Sequence, residues 1–258
     1  MTSLRRSIAI QCRIVGALVL RETLTRYGRH NIGFLWMFVE PMMFTLGVTA
    51  LWTALHATHG SNLPIVTFTL TGYSAVLLWR SMPGRLSSAL EVNRALMHHR
   101  NVRVIDVYLS RILLEIGGVT TSFTVLTLVF AWSGLSELPP DPLLMIGGWI
   151  ILCWFGGALA LIVGAASERS EIVEKLWHPI SYLSFPISGA AFMVDWLPPK
   201  LQAWALLLPP VNGVEMVRGG FYGHLVKPHY DIATTVPVLM VMTLVGLALV
   251  QALSRARG

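Results

Sequence analysis

Residues 21–41 read RETLTRYGRHNIGFLWMFVEP, and this stretch decides the fold. Its first half carries Arg21, Arg26 and Arg29, whereas its second half is apolar and aromatic and opens a run long enough to cross a bilayer. A cationic segment that leads directly into such a run stays on the cytoplasmic side of a membrane. Because the arginines also lie where anionic lipid headgroups are found, the stretch predicts a membrane protein and its orientation together.

The composition of the whole chain agrees with this interpretation. Of the 258 residues, 54% are hydrophobic and only 12% are charged. A soluble domain carries about 25% charged residues, so the chain is predicted to be an integral membrane protein. We expect no removable signal peptide, because the N-terminal segment lacks a pure apolar core and a small-residue cleavage site.

Apolar runs of about 20 residues predict six membrane spans. These runs cover residues 34–57, 64–82, 112–132, 143–166, 176–194 and 232–253. Residues 1–33 precede them and predict an amphipathic helix at the membrane surface, because Leu4, Ile8 and Leu18 recur at helical spacing apart from Arg6. The sequence therefore predicts an all-α membrane fold in which all 258 residues form a single domain.

The distribution of basic residues predicts the orientation of these spans. Sixteen of the 19 basic residues fall in the N-terminal segment, around the connections after spans two and four, and in the C-terminal tail. The opposite side holds only Lys200, Arg218 and Lys227. An even number of spans puts both termini on the same side, and the positive-inside rule predicts that this side is the cytoplasm.

Two connections between spans are longer than simple turns. Residues 84–106, on the positive side, are polar and helix-compatible in their first half and predict a cytoplasmic coupling loop. Residues 195–231, on the opposite side, contain two short apolar pieces, 197–208 and 211–221, that are broken by prolines and glycines. Interrupted apolar pieces of this length predict a periplasmic re-entrant hairpin, whose backbone must be buried in protein or line a water-filled path.

The motifs of common catalytic and cofactor sites are absent from the sequence. None of the three lysines belongs to a phosphate-binding Gly-x-x-x-x-Gly-Lys-Ser/Thr loop, and the zinc-protease, paired-cysteine and nucleophile-elbow motifs are also missing. His98 and His99 are adjacent, so on a helix they do not face each other and no metal site is expected there. Glu40 and Glu115 are too few buried acids for a proton relay. We therefore expect no enzyme activity and no cofactor in this chain, and an energy source on another polypeptide.

The stretch 21–41 resembles the membrane subunit of type-2 ABC exporters, as does NRALMHHRNVRVID at residues 93–106, which leads into SRILLE at 110–115. The likeness runs over essentially the whole chain and is greatest to capsular polysaccharide export permeases of the KpsM type in Gram-negative bacteria. The segment LLLPPVNGVEMVR at residues 206–218 matches the family less well.

The resemblance implies a homodimeric permease in the bacterial inner membrane. Two ATPase subunits, which hold the ATP and Mg²⁺, are implied as partners. The implied cargo is a lipid-linked acidic polysaccharide, which moves from the cytoplasm to a periplasmic co-polymerase and outer-membrane export proteins. No nucleic acid partner is implied.

The residues expected to contact substrate lie in the basic stretch, span one and span five. They are Arg21, Arg26, Arg29, Trp36, Glu40, Tyr182 and Phe185. The arginines would guide a lipid phosphate to a cytoplasmic entrance, although a topology signal alone is the favoured explanation of their charge. A gate and a simple proline kink explain Glu40 and Pro41 equally well. Tyr182 and Phe185 lie between Pro179 and Pro186 and favour channel lining between two protomers.

Contact with the ATPase is expected along the coupling loop. The residues assigned to it are Glu91, Asn93, Arg94 and Arg100. On span four, Gly156, Ala160 and Gly164 stand four residues apart, which favours close helix packing within one subunit over a dimer seam.

Three other functions remain open at this stage. An exporter of O-antigen or teichoic-acid-type glycans would belong to the same family. An ion-coupled secondary transporter would be expected to show internal repeats, and no persuasive repeat is present. A membrane-embedded enzyme would need a polar constellation that the spans lack.

Overall fold

The computed structural model describes residues 4–27, 31–55, 63–94, 97 and 102–257. Within these ranges the chain is helical and contains no β-strand. The helices are α1 (Leu4–Tyr27), α2 (Asn31–Ala54), α3 (Ile65–Ser87), α4 (Ala89–Val92), α5 (Val104–Trp132), α6 (Pro142–Ser167), α7 (Glu171–Leu183), α8 (Pro199–Leu206), α9 (Pro209–Tyr222) and α10 (Ile232–Arg257). Two short 3₁₀ turns, Val194–Trp196 and Gly223–Leu225, connect α7 to α8 and α9 to α10.

Four of the described helices are long and apolar enough to cross a membrane. They are Leu35–Ala54, Val104–Trp132, Pro142–Ser167 and Ile232–Ala256. These helices correspond to predicted spans one, three, four and six, whose existence as long helices is confirmed. The count of six spans stays a prediction.

Predicted span two forms the 23-residue helix α3, which is more polar than the four apolar helices. It lies at the centre of the fold, where α2, α5, α6 and α9 contact it. Its hydroxyl side chains donate hydrogen bonds back to carbonyls four residues earlier, as Thr69 does to Ile65 and Thr71 to Thr67, each at 2.8 Å. Neighbouring helices and these local bonds allow polar residues in a helix that the apolar count predicts as a membrane span.

Predicted span five is wrong as one continuous helix over residues 176–194. Helix α7 ends at Leu183 after 13 residues, and the chain then continues in turns. Pro186 has no N–H to donate, and Gly189 adopts a positive φ of +82°, a conformation that ordinary side chains disfavour. The hydroxyl of Ser188 donates to the carbonyl of Phe185 at 2.7 Å, which satisfies the broken backbone locally.

The two short apolar pieces predicted beyond span five are confirmed as helices α8 and α9. Each begins with proline, which suits the first helical turn because its missing N–H has no intrahelical partner. All fourteen residues of α9 are buried. Their re-entry into a membrane stays a prediction.

Helix α9 carries three buried polar side chains, Asn212, Glu215 and Arg218, at intervals of three residues. One Glu215 carboxylate oxygen accepts the N–H of Val194 at 2.9 Å, and the other accepts the N–H of His229 at 3.1 Å. The Asn212 side-chain carbonyl accepts the N–H of Asp231 at 2.7 Å, and its amide donates to the carbonyl of Leu206 at 2.7 Å. The polar face of α9 therefore holds three separate connecting segments in place.

Arg218 is wholly buried on the same face and holds the turns that follow α7. Its Nη1 donates to the carbonyls of Gly189 at 2.7 Å and Phe192 at 2.6 Å, and its Nη2 donates to the carbonyl of Ala190. The guanidinium carbon lies 3.7 Å above the centre of the Phe68 ring on α3. A charge at this depth is tolerated because carbonyl dipoles and an aromatic face replace water around it.

Aspartate also begins the last helix. Asp231 accepts the N–H of Thr234 at 3.1 Å and the hydroxyl of the same residue. These hydrogen bonds lower the pKa of Asp231. The ionised carboxylate is favourable at a helix N-terminus, where the backbone N–H groups point outward.

Glycines allow α6 to approach its neighbours closely. A Cβ on Gly156 would lie 2.9 Å from the Cα of Trp79 on α3, and one on Gly164 would lie 2.8 Å from the Cβ of Leu86. The prediction that the small residues of span four serve packing within one subunit is therefore confirmed at both glycines. Against α9, a Cβ on Gly148 would lie 2.5 Å from the carbonyl oxygen of Gly213.

Helix α1 lies against α5 and α2 through a mixed apolar and polar stripe. Leu18 is buried, whereas Ile8 of the predicted apolar stripe is 55% exposed. The Gln11 side-chain amide donates to Asp106 of α5, and Glu22 forms an ion pair of 2.9 Å with Arg111 of the same helix. The predicted surface position of α1 on a membrane stays a prediction.

Replacing Gly148 with alanine is expected to destabilise the protein. The new methyl group meets backbone atoms of Gly213 and Val217 rather than a flexible side chain, so α9 must shift, and overpacking of this kind costs about 1–3 kcal/mol. Thermal unfolding of the purified protein in detergent measures the effect. Gly157→Ala in the same helix is the control, because its nearest new contact is an ordinary 3.7 Å to Ile112. Equal midpoints for the two variants would contradict the tight α6–α9 contact.

Replacing Arg218 with glutamine is expected to destabilise the turns after α7. The shorter neutral side chain leaves buried carbonyls without a donor, and a lost hydrogen bond of this kind costs about 1–3 kcal/mol. Arg218→Lys keeps the charge but loses the planar guanidinium, so its unfolding midpoint is expected to fall between those of the wild type and Arg218→Gln. Arg255→Gln, at an exposed position near the end of α10, is the control in the same thermal assay. A midpoint for Arg218→Gln that matches the control would refute this role.

Candidate functional site

A groove of about 170 Å³ opens between α2, α3 and α5. Its apolar walls include Met37, Phe44, Leu77, Leu114 and Val119. Four ionisable side chains line the same groove: Glu40 from α2, Arg80 and Arg85 from α3, and Glu115 from α5. Ionisable residues among membrane helices are costly and mark functional sites, so this groove is the leading candidate within the described residues.

The groove is held together by ion pairs between different helices. The Nε of Arg85 lies 3.3 Å from Oε1 of Glu115. The Nη1 of Arg111 donates to the backbone carbonyl of Arg85 at 2.6 Å, while its Nη2 contacts Glu22 on α1 at 2.9 Å. Both Arg111 and Glu115 belong to α5, and these contacts join them to other helices. Arg111 contacts Glu22 of α1 and the Arg85 carbonyl of α3, and Glu115 contacts the Arg85 side chain. These contacts fix α1, α3 and α5 relative to one another beside the groove.

Pro41 lies within α2, and α5 approaches the helix closely at that point. A proline leaves the carbonyl four residues earlier, here that of Met37, without its helical donor. Gly118 of α5 lies against this carbonyl, since a Cβ there would be 3.2 Å from the Met37 oxygen. One residue further along, the carbonyl of Phe38 accepts the hydroxyl of Ser122 at 2.7 Å. The α2–α5 contact therefore supports the segment that presents Glu40.

Arg80 connects the groove to Tyr182 of α7, one of the two predicted channel-lining aromatic residues. Its guanidinium carbon lies 4.7 Å from the centre of the Tyr182 ring. About two turns earlier in α3, Tyr73 makes an edge contact with Phe185, with ring centres 6.2 Å apart. Tyr182 is 66% exposed, so much of its ring remains accessible beside the arginine. The structure thus places Arg80, which sequence reasoning counted only as topological charge, in one groove with Glu40 and in contact with Tyr182, whereas Phe185 contacts Tyr73 instead.

Two of the remaining predicted substrate residues, Trp36 and Arg21, do not line this groove. Trp36 is 50% exposed on α2 and does not line it. Arg21 on α1 donates from Nη1 to the side-chain carbonyl of Asn93 at 2.6 Å. Arg26 belongs to α1, but its side chain lies outside the described part of the chain, as does the whole of Arg29.

Two of the four predicted ATPase-contact residues line a second cleft, of about 730 Å³, at the α3–α4 and α6–α7 connections. Glu91 and Arg94 line it from the coupling loop. Asn93 is buried, and its amide also donates to the carbonyl of Ala89 at 2.9 Å, so its side chain is engaged within the chain. Arg100 lies outside the described residues.

Three acidic residues complete the cleft, and sequence reasoning missed them. They are Glu168, Glu171 and Glu174, from the connection between α6 and the first turn of α7. The hydroxyl of Ser87 donates to Oε1 of Glu174 at 3.3 Å, which links the two sides of the cleft. The signal was present in the sequence as ERSEIVE at residues 168–174, where three carboxylates fall within seven residues.

Metal chemistry finds no support in the part of the chain that the structure describes. No group of three or more histidine, cysteine, aspartate or glutamate side chains there is arranged to hold an ion. The adjacent His98 and His99 lie outside the described residues. What the described sites offer is charge, hydrogen bonding and aromatic surface, which suits binding and passage of a polar molecule.

Comparisons with known proteins agree with a transport role. The family model of ABC-2 type transporters matches residues 13–222. The capsule polysaccharide export inner-membrane protein CtrC of Neisseria meningitidis serogroup B is 40% identical over 98% of this chain and 96% of its own length. The capsule polysaccharide export inner-membrane protein BexB of Haemophilus influenzae is 37% identical, and the polysialic acid transport protein KpsM of Escherichia coli 28%, over the same shares. The chain therefore belongs to the ABC-2 type transporter family.

Proposed function

We propose that this chain is the channel-forming membrane subunit of an ATP-driven exporter of capsular polysaccharide in the bacterial inner membrane. The observation that carries the proposal is similarity over 98% of the chain to inner-membrane proteins named for capsule polysaccharide export. The sequence has no phosphate-binding loop of its own, which supports ATP hydrolysis by a separate subunit.

A second copy of the chain is proposed to cover the groove. Helix α2 exposes most of its surface, including Met43 and Phe44, and α7 exposes Tyr182 and Leu183. The groove with Glu40 and its neighbours would face lipid if these surfaces had no protein partner, and charges facing lipid are unfavourable. A homodimer joined along α2 and α7 removes that cost and encloses a polar path between the protomers.

The path is proposed to carry a lipid-linked acidic polysaccharide. Flat aromatic rings such as Tyr182 and Phe185 can contact the apolar faces of sugar rings without selecting one sequence. Arg80 beside them supplies a charge for the acidic groups of the polymer. Since Arg21 is bound to Asn93, recognition of a lipid phosphate in the basic stretch would rest mainly on Arg26 and Arg29.

The arrangement of the complex follows from the charge distribution. Both termini are proposed to be cytoplasmic, which places the 730 Å³ cleft on the side where ATP is available. Basic side chains of the ATPase would meet Glu91 and the acidic residues of the α6–α7 connection there. Periplasmic and outer-membrane export proteins are proposed to receive the polymer on the other side.

Loss and substitution of the chain test the function. A strain that lacks it should lose surface polysaccharide and retain lipid-linked polymer inside the cell. Restoring the chain with Arg80→Gln should lower surface polysaccharide about tenfold, since a hydrogen bond to a charged group contributes about 1.5–3 kcal/mol. Arg255→Gln, an exposed substitution near the end of α10, should restore export fully.

Assays on fractionated cells measure the surface polysaccharide and the lipid-linked polymer inside the cell, and co-purification of the ATPase verifies assembly of the complex. Normal surface polysaccharide in the strain that lacks the chain would refute the proposed function. Normal export by Arg80→Gln would refute only the role of the groove.

Charge reversal tests the docking cleft. Glu91→Lys and Glu171→Lys should each reduce ATPase co-purification, because both carboxylates are exposed on opposite sides of the cleft. Reversal at Arg94 or Arg100 should have the same effect. Glu137→Lys, an exposed change in the connection between α5 and α6, is the matched control for membrane insertion and yield. Unchanged association in every cleft variant would exclude this surface as the ATPase site.

A further inference from the structure

A third cleft lies at the end of the fold where α3 begins, opposite the end that carries the docking cleft. Its volume is about 260 Å³. Three connecting segments form it: the one before α3 with Leu63, the 3₁₀ turn with Asp195 and Trp196, and the one before α10 with Val226 and Lys227. None of these residues takes part in the groove or the docking cleft.

Each wall of this cleft is fixed from beneath by α9. The hydroxyl of Tyr222 donates to the carbonyl of Pro64 at 3.2 Å and holds the first segment. Glu215 accepts the N–H of Val194 in the second wall and the N–H of His229 beside the third. A binding site whose walls are held by buried hydrogen bonds spends little free energy on ordering when a ligand arrives.

The side chains in the cleft combine an aromatic face with both signs of charge. The Trp196 ring stacks on Phe68 with centres 5.5 Å apart and planes 17° from parallel, and 37% of Trp196 remains exposed. The Asp195 side chain is 56% exposed and lies 3.9 Å from Nδ1 of His229. Lys227 is exposed on the facing wall.

This combination matches the chemistry of an acidic sugar. An aromatic ring contacts the apolar C–H face of a pyranose, a carboxylate accepts hydrogen bonds from its hydroxyl groups, and an ammonium group pairs with its acidic substituent. A partly open cleft of about 260 Å³ suits one or two units of a chain rather than a long segment. A purely interfacial tryptophan, by contrast, requires neither an adjacent carboxylate nor a lysine.

We propose that this cleft is a carbohydrate-binding subsite, which takes an acidic sugar unit of the exported polymer as it leaves the membrane path. Trp196 supports the ring, Asp195 binds hydroxyl groups and Lys227 contacts the acidic group. The identity of the glycan rests on the proposed function, whereas the presence of the subsite rests on the cleft itself.

Binding to the full-length protein in lipid nanodiscs tests the proposal. The probes are short acidic oligosaccharides released from the capsule of the producing strain and the same oligosaccharides after chemical reduction of their carboxylates. Calorimetry should give a lower Kd for the acidic form. Trp196→Ala should weaken binding of both forms about tenfold, in line with about 1.5 kcal/mol for an aromatic contact.

Two further variants change the charged side chains of the cleft and leave the stacking of Trp196 on Phe68 in place. Lys227→Gln should weaken the acidic form about threefold and leave the reduced form unchanged, since an exposed ion pair contributes up to about 1 kcal/mol. Asp195→Asn should weaken both forms. Trp204→Ala and Lys200→Gln are the matched controls, because both residues are exposed on α8 outside the cleft.

The outcomes separate this inference from the proposed function. The proposed subsite would be overturned if Trp196→Ala and Trp204→Ala bound the oligosaccharides with equal affinity. Equal affinity of Lys227→Gln and Lys200→Gln for the acidic form would overturn it too. Failure of the wild-type protein to bind either oligosaccharide would overturn it as well. Export by the strain that lacks the chain reports on the proposed function alone, whatever the binding assay shows.

Discussion

The fold depends on how backbone groups are satisfied where helices stop inside the protein. Polar backbone atoms removed from water need partners, and a broken helix leaves several without one. Here α9 supplies those partners from a single face: Asn212, Glu215 and Arg218 bind the segments after α7, before α9 and before α10. Backbone groups of three irregular segments are thereby hydrogen-bonded to one helix. Without this face, α7 would have to continue as a helix or its end would have to face water.

Helix α3 connects these turns at one end of the protein to the groove nearer the other end. Near its beginning, the Phe68 ring lies between Arg218 and Trp196, and Gly72 lets the turn at Ala190 pass close to the backbone. Near its end, Arg80 contacts Tyr182 and Arg85 binds Glu115. Arg80 and Arg85 of α3 therefore serve contacts with other elements, which helps to explain why this central helix is less apolar than α2, α5, α6 and α10.

Length and hydropathy were sufficient to predict α2, α5, α6 and α10, because a long apolar run can be recognised in the sequence without knowing what the helix packs against. They were insufficient for α7, where the apolar count over residues 176–194 outweighed Pro186 and Gly189. The role of Arg218 could not be predicted for a different reason. Its partners are backbone carbonyls, and because every residue has one, the sequence does not show which of them the side chain binds. Counting charges assigned Arg218 only to the side opposite the termini, whereas the structure shows that its side chain is wholly buried. Glu40 was identified from its cost in a membrane helix, but its neighbours Arg80 and Arg85 were assigned to topology alone.

Topology and substrate contact are not competing explanations for such arginines. A guanidinium near the cytoplasmic end of a span favours one orientation during insertion and retains its charge in the folded protein. In the groove, Arg80 and Arg85 are accompanied by Glu40 and Glu115, so the formal charges cancel. A strongly cationic path would hold a polyanion too tightly to release it, since conduction requires sites that bind well enough to admit and weakly enough to let go. In the proposed polysaccharide path, acids and bases beside aromatic rings would meet that requirement, and Asp195, Trp196 and Lys227 bring the same combination of side chains together at the far end.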